Sequence, residues 1–194
     1  MREKEIDKLK EYKYGFTTDI ENIKSPKGLT SKTIEFISKI ASPIIIMHMQ
    51  KEPINMQINP KYSFAPIDIY KFFSKKIIDL VDAGIKKSNI VVDPGIGFGK
   101  TLSDNLNIFK YLPLFHGLGV PILIGASRKS LIGELTIDDY KLRGKNKKKI
   151  IPSKRLSGSL AFAIHANMCG VQILRTHDVF ETNQALICQN YLHL

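Results

Sequence analysis

Short apolar runs alternate along the chain with longer stretches whose apolar positions recur at the three- and four-residue spacing of a helix. The runs Tyr14–Ile20, Pro43–Met49, Asn89–Asp93, Pro121–Gly125 and Val171–Arg175 predict strands. Between them, Thr30–Ile40 places Ile34, Phe36, Ile37 and Ile40 close to helical spacing. Ile67–Ala83 puts Ile69, Phe72, Phe73, Ile77, Leu80 and Val81 on one face, and Gly84 follows as a stop. Leu102–Leu112 predicts a helix ending before Pro113, and Arg128–Leu135 a short one. Leu156–Cys169 and Val179–Tyr191 predict the last two helices. The polar stretch 136–153 carries Lys141, Arg143, Lys145, Lys147, Lys148 and Lys149 and predicts a basic exposed loop.

The predicted order is β-α-β-α-β-α-β-α-β-α. Continuous apolar strands separated by helices imply a parallel sheet with helical crossovers, an α/β fold. No internal repeat of a solenoid kind is present. The 194 residues suit a single domain. About five βα units are too few to close a (β/α)8 barrel, which takes roughly 250 residues. The pattern therefore leaves two architectures open, a small open sheet or an incomplete barrel of the TIM type.

Polar residues gather just after the predicted strands. His48 and Met49 end one. Asp93-Pro-Gly-Ile-Gly-Phe-Gly-Lys-Thr101 follows the next, Gly125-Ala-Ser-Arg-Lys129 the third and Arg175-Thr-His-Asp178 the last. In either architecture, ligands bind at this C-terminal edge. The glycine segment fits neither the P-loop spacing nor the dinucleotide fingerprint, because Gly95, Gly97 and Gly99 strictly alternate. It reads as a flexible loop that lets backbone approach a ligand, or as a tight turn with Asp93 capping a helix. Ser127-Arg128-Lys129 suits an anionic or carbonyl-bearing ligand, or is a solvated basic face. Arg175 and His177 alternate at a strand end and so project to one side, where together they suit a phosphate or pyrophosphate. His116 and His165 read as structural or surface residues.

No apolar run reaches the ~18–20 residues of a membrane span. The first ten residues lack the apolar core of a secretory signal and carry acidic groups. Cys169 and Cys188 form no metal or redox motif, so a reduced, cytoplasmic protein is expected. The formal net charge of +11 is compatible with nucleic acid, an anionic surface or a phosphorylated substrate, and equally with a Lys-rich coding bias. A nucleic-acid surface interleaves aromatics with its cations, and 136–153 offers Tyr140 alone.

His48-Met49-Gln50 with Pro53, Met56 and Gln57, the Asp93–Lys100 segment, Ser127-Arg-Lys-Ser130, Arg155-Leu-Ser-Gly-Ser-Leu-Ala161 and Arg175-Thr-His-Asp-Val179 together resemble the dihydropteroate synthase family, in its order and nearly its spacing. The resemblance runs from about Tyr14 to the C-terminus. It implies a (β/α)8 barrel and the condensation of 6-hydroxymethyl-7,8-dihydropterin pyrophosphate with p-aminobenzoate, giving dihydropteroate and pyrophosphate for folate synthesis. By the same likeness Asp93 is the carboxylate that pairs with the pterin ring's N–H donors. Lys129 is the pterin-contacting lysine, and Gly125 and Met47 line that pocket. Arg175 and His177 anchor the pyrophosphate, and Phe98 and Ser127 lie on the aminobenzoate side. Lys129, Arg175 and His177 are thereby the catalytic candidates. The resemblance also implies Mg²⁺ beside the pyrophosphate and a homodimer formed through helices near the C-terminus, Leu156–Cys169 and Val179–Tyr191.

Segments of the family's N-terminal half are not found here: neither Asn-Val-Thr-Pro-Asp-Ser-Phe, nor Glu-Ser-Thr-Arg-Pro, nor an Asp-Thr strand end. Those segments supply the metal-contacting Asn, loops over the aminobenzoate site and a further pterin-binding Asp, so no metal ligand is retained. Where the family has a pterin-contacting Asn this chain reads Thr17-Thr18-Asp19-Ile20, with Thr18 at the position. The resemblance is thus to a C-terminal portion. A separately encoded N-terminal half, or a non-catalytic remnant that still binds pterin, fits that pattern. The expectation is weak pterin binding without turnover by the chain alone.

Overall fold

The computed structural model describes residues 43–145 and 149–192. Two strands, β1 (Ile44–Met47) and β2 (Ile90–Asp93), pair in parallel with Ile44 opposite Ile90 and Met47 opposite Asp93. Two shorter ones, β3 (Leu123–Ile124) and β4 (Ile173–Leu174), pair in parallel as well. A single parallel bridge, Val92 to Ile122, joins the two pairs, with the Val92 N–H donating to the Pro121 carbonyl at 3.0 Å. The strands thus lie side by side in chain order and point the same way, and their C-terminal ends share one edge.

Five α-helices complete the described fold: α1 (Ala65–Asp82), α2 (Leu102–Lys110), α3 (Ser130–Leu142), α4 (Leu156–Met168) and α5 (Val179–Leu192). Pro66 lies in the first turn of α1, where its fixed φ suits a helix start. The Asp68 carboxylate accepts the N–H groups of Ser63 and Phe64 at 2.8 and 3.2 Å. That arrangement satisfies donors a helix start otherwise leaves orphaned. Ile69, Phe73, Ile77 and Leu80 are the buried stripe of α1. They pack with Ile44, Ile46, Ile90 and Val92 of the strands, with Ile122 just before β3 and with Phe115. A reciprocal capping box of Thr101 and Asp104 starts α2.

The predicted α/β order holds over the described residues, with three differences. The helix predicted over Arg128–Leu135 continues through Thr136 to Leu142, so the basic stretch 136–153 is not a loop throughout. Its polar residues sustain the helix themselves: Lys141 pairs with Asp138 and Arg143 with Asp139, while Thr136 Oγ1 donates to the Ile132 carbonyl at 2.7 Å. Pro121–Gly125 and Val171–Arg175 shorten to two-residue strands, because at Gln172 a side chain replaces a ladder bond: its Oε1 accepts the Ile122 N–H at 2.9 Å. Beyond α2 the chain continues as a 3-10 turn over Leu112–Leu118, with Pro113 in its first turn. The strand predicted at Tyr14–Ile20, the helix at Thr30–Ile40 and the position of Thr18 lie outside the described residues.

Candidate functional site

Asp93 closes β2 and is only 3% exposed. Its Oδ1 accepts the Gly95 N–H at 2.8 Å, and its Oδ2 lies 3.4 Å from Arg175 Nη2. Burial pushes this carboxyl above its ordinary pKa. The Gly95 N–H and the nearby charges of Lys129, Arg175 and Lys100 pull the other way.

The glycine segment after Asp93 is a tight turn. Gly95, Gly97 and Gly99 have φ of +70°, +80° and +60°, values that an L side chain adopts only under strain. A Cβ at Gly95 would run into the His48 carbonyl oxygen, and one at Gly99 would sit 2.6 Å from that of Gln50. The turn therefore packs its backbone against the residues that follow β1, and its glycines serve that approach. The segment has the tight-turn geometry of the second reading, with the Phe98 N–H donating to the Gly95 carbonyl at 3.0 Å. Asp93 caps the turn at Gly95, however, while α2 has its own cap in Thr101.

Side chains take the carbonyls of this turn one after another. Lys129 Nζ donates to Ile96, Gln57 Nε2 to Gly97 at 2.5 Å, Lys100 Nζ to Phe98 at 2.9 Å and the Tyr62 hydroxyl to Gly99 at 2.7 Å. Lys129 Nζ also stands 4.2 Å from the centre of the Phe98 ring, a cation–π contact. Burial lowers its pKa to about 8, with Asp93 opposing that shift and Arg175 adding to it.

Arg175 follows β4 and lies across Gly125, where a Cβ would come within 3.0 Å of the guanidinium. Met47, buried at the end of β1, would touch that same imagined Cβ at Gly95, with its Cγ 3.3 Å away. Asp93, Phe98, Gly125, Lys129, Arg175 and Met47 therefore gather at the strand edge. Ser127 and His177 form an adjoining pair. The Ser127 hydroxyl accepts the His177 N–H at 3.1 Å and lies 3.0 Å from its Nδ1. Arg175 and His177 consequently reach different partners, one at Asp93 and one at Ser127.

The two cations of Ser127-Arg128-Lys129 also part company. Arg128, at φ +57°, turns its guanidinium onto Asp178, so it is tied up within the protein and does not join Lys129 in facing a ligand. His116 and His165 bond the carbonyls of Cys169 and Phe109 and bridge elements. Lys100 and His48 were visible in the motifs but without a role. Lys100 is 4% exposed and His48 8%. Lys100 Nζ lies 3.1 Å from His48 Nδ1 and 3.2 Å from the His48 carbonyl. Burial first, and then Lys100, lower the His48 pKa to about 3. Burial lowers that of Lys100 to about 7, against the pull of Asp93.

One buried carboxylate amid three cations can pair with a heterocycle that presents donors on one edge and acceptors on another, and can hold an anionic tail. It does not suit Mg²⁺, which needs several hard oxygen ligands. Among the described residues no group of three His, Cys, Asp or Glu side chains is placed to hold a metal ion. Nor, among them, is any helix long and apolar enough to cross a membrane.

An α/β protein with such a cluster of charged side chains at its C-terminal strand edge belongs to the class that binds small ligands there. Residues 18–177 match the model of the pterin binding enzyme family, and the chain belongs to that family. It is 39% identical over 168 residues to the dihydropteroate synthase of Escherichia coli (strain K12). That match spans 87% of this chain and 54% of the relative. Identity to the dihydropteroate synthase of Haemophilus influenzae is 38%, over 87% of this chain and 55% of the relative. The crystal structure of the Yersinia pestis dihydropteroate synthase with a sulfonamide drug superposes with a TM-score of 0.74 at 38% identity, covering 83% of this chain and 54% of that one. The Xanthomonas albilineans dihydropteroate synthase with 4-aminobenzoic acid superposes with a TM-score of 0.72 at 32% identity, covering 90% and 56%. The chain thus spans about half the length of the relatives it matches.

Proposed function

We propose that this chain carries the pterin and pyrophosphate side of a dihydropteroate synthase site built on a (β/α)8 scaffold. The reaction is the condensation of 6-hydroxymethyl-7,8-dihydropterin pyrophosphate with p-aminobenzoate in folate synthesis. The amine nitrogen of p-aminobenzoate forms the new bond to the pterin methylene carbon. The methylene–oxygen bond breaks, pyrophosphate leaves with its electron pair, and the amine gives up a proton.

The observation that carries this reading is the buried Asp93 carboxylate, bracketed by Lys129 and Arg175 at the strand edge. Asp93 accepts the ring's N–H donors, and such matching of donors to acceptors rejects other heterocycles. Lys129 supplies a donor to the ring from above Phe98. Gly125 and Met47 shape the pocket floor. Arg175 exchanges its contact with Asp93 for the pyrophosphate oxygens, and His177, oriented by Ser127, joins it. Both stabilise the charge that develops on the leaving group. The Mg²⁺ that the resemblance implies has no donor set among the described residues, so in this reading that charge falls to Arg175 and His177. The aminobenzoate enters beside Phe98 and Ser127.

A second copy of the chain is the proposed partner, joined through α4 and α5. Gly158 and Ser159 are already used within the chain, since Gly158 abuts Ile132 and Ser159 Oγ accepts the Arg128 N–H. Exposed apolar side chains on these helices, among them Met168 of α4 and Val179, Phe180, Ile187, Tyr191 and Leu192 of α5, are open to a partner. The proposal also admits a separately encoded partner segment that completes the barrel, and a cytoplasmic setting.

Calorimetric titration with the pterin pyrophosphate tests the reading. Asp93→Ala weakens binding by about 1.5–3 kcal/mol, the size of a charge-assisted hydrogen bond. Equal affinity in wild type and variant sinks the assignment.

A further inference from the structure

We propose that Lys100 is a positioning residue: a buried ammonium that pins the glycine turn to the end of β1 and so sets where Phe98, and through it Lys129, meet the ligand. The inference rests on the pterin reading for its ligand assay alone. An ammonium has three protons and no lone pair. Lys100 Nζ has three acceptors within reach: the Phe98 carbonyl at 2.9 Å, the His48 carbonyl at 3.2 Å and His48 Nδ1 at 3.1 Å. With Lys100 charged, His48 Nδ1 is the acceptor and the ring proton sits on Nε2. Burial keeps that ring neutral. Phe72 meets the ring edge-on at 4.9 Å and Tyr62 lies at 5.9 Å, so the anchor is itself held in place.

The pin acts on one residue that faces two lysines. Lys100 holds the Phe98 backbone, while the Phe98 ring carries the Lys129 ammonium at 4.2 Å. Gln57 and Tyr62 hold the carbonyls on either side, but both are neutral and less buried. The charged groups facing Lys100 are Asp93, Asp104 and Lys129, and those facing Asp93 are Lys129, Arg175 and Lys100. Removing Lys100 takes away one of three cations that favour the ionised form of Asp93.

The test compares Lys100→Met, which keeps length but removes the charge and donors, with Lys100→Arg, which keeps the charge. First, the Asp93 carboxyl is titrated by carbon NMR in the ligand-free protein. The midpoint is expected to rise in Lys100→Met and to return toward wild type in Lys100→Arg. Second, affinity for the pterin pyrophosphate is followed across pH. Lys100→Met is expected to bind about tenfold more weakly near neutrality, the worth of one charge-assisted contact, with partial recovery in Lys100→Arg. A folded Lys100→Met with the wild-type Asp93 midpoint and affinity overturns the proposal. Should Lys100→Met fail to fold, the decision falls to Asp93→Asn, read by nitrogen NMR of the Lys100 ammonium. Its midpoint is expected to fall once the facing carboxylate is gone, and an unchanged midpoint overturns the proposal. If wild type binds no pterin at all, the pterin reading fails, while the two ligand-free titrations still decide for or against Lys100.

Discussion

Arg128 forks onto Asp178 across 50 positions of chain: Nε reaches Oδ2 at 3.0 Å and Nη2 meets Oδ1. The pair holds Arg128 in a left-handed backbone conformation at φ +57°, which a non-glycine residue adopts only when its surroundings impose it. Its N–H bonds Ser159 Oγ at 2.9 Å and its carbonyl accepts from Arg155 Nη1 at 2.8 Å. On either side of this strained residue stand Ser127, which orients His177, and Lys129, which rests over Phe98. Asp178→Ala is therefore expected to loosen both neighbours and weaken pterin affinity on the order of tenfold. Calorimetry checks the affinity, and unchanged binding contradicts the role.

The same pair gives a pH dependence. The hydrogen bond from Arg128 holds the Asp178 carboxyl below the usual carboxylate range. Its contribution to stability is therefore complete above the unfolded value near 4, and is lost as pH falls through the lower folded midpoint. Asp178→Asn should remove that acid-side component from a stability-versus-pH curve.

His48 predicts an acid sensitivity at higher pH. Burial holds its folded pKa at about 3, below the 6.5 of an ordinary imidazole. Below pH 6.5 the unfolded chain takes up a proton that the buried ring refuses, so unfolding becomes easier until the folded midpoint is reached. Chemical denaturation at pH 7 and pH 5 should show stability falling on acidification, and His48→Gln should flatten that slope. An equal slope in the variant contradicts a buried neutral His48.

The glycines make a graded prediction. Gly84 has φ +90° and open space around its Cβ position, so Gly84→Ala carries backbone strain alone, about 1–2 kcal/mol. Gly95→Ala has a similar φ and also collides with the His48 carbonyl, so it should be far more costly and displace Asp93. Thermal melts of the two variants check the order.

Sequence pattern revealed the described strands because each is a short apolar run, and the strand edge because Asp93, Ser127, Lys129, Arg175 and His177 all follow such runs. Pattern alone could not separate Arg128 from Lys129, and only the family resemblance singled out Lys129. Two adjacent cations look alike until a left-handed backbone sends one to Asp178, far along the chain. Lys100 stood in the glycine motif, one of 29 basic residues, without an assigned role. Its burial comes from the close approach of the glycine turn to β1, which no local pattern encodes. The extension of α3 through Thr136–Leu142 was missed for the opposite reason: a solvated helix held by its own ion pairs has no apolar stripe to count.

The most direct measurement is a crystal structure of the chain grown with 6-hydroxymethyl-7,8-dihydropterin pyrophosphate. The account predicts the pterin ring between Asp93 and Lys129, its N–H donors on the Asp93 carboxylate. Arg175 should have moved off Asp93 onto the pyrophosphate. A ligand bound elsewhere, or a ring that leaves the Arg175–Asp93 contact at its present 3.4 Å, would contradict it.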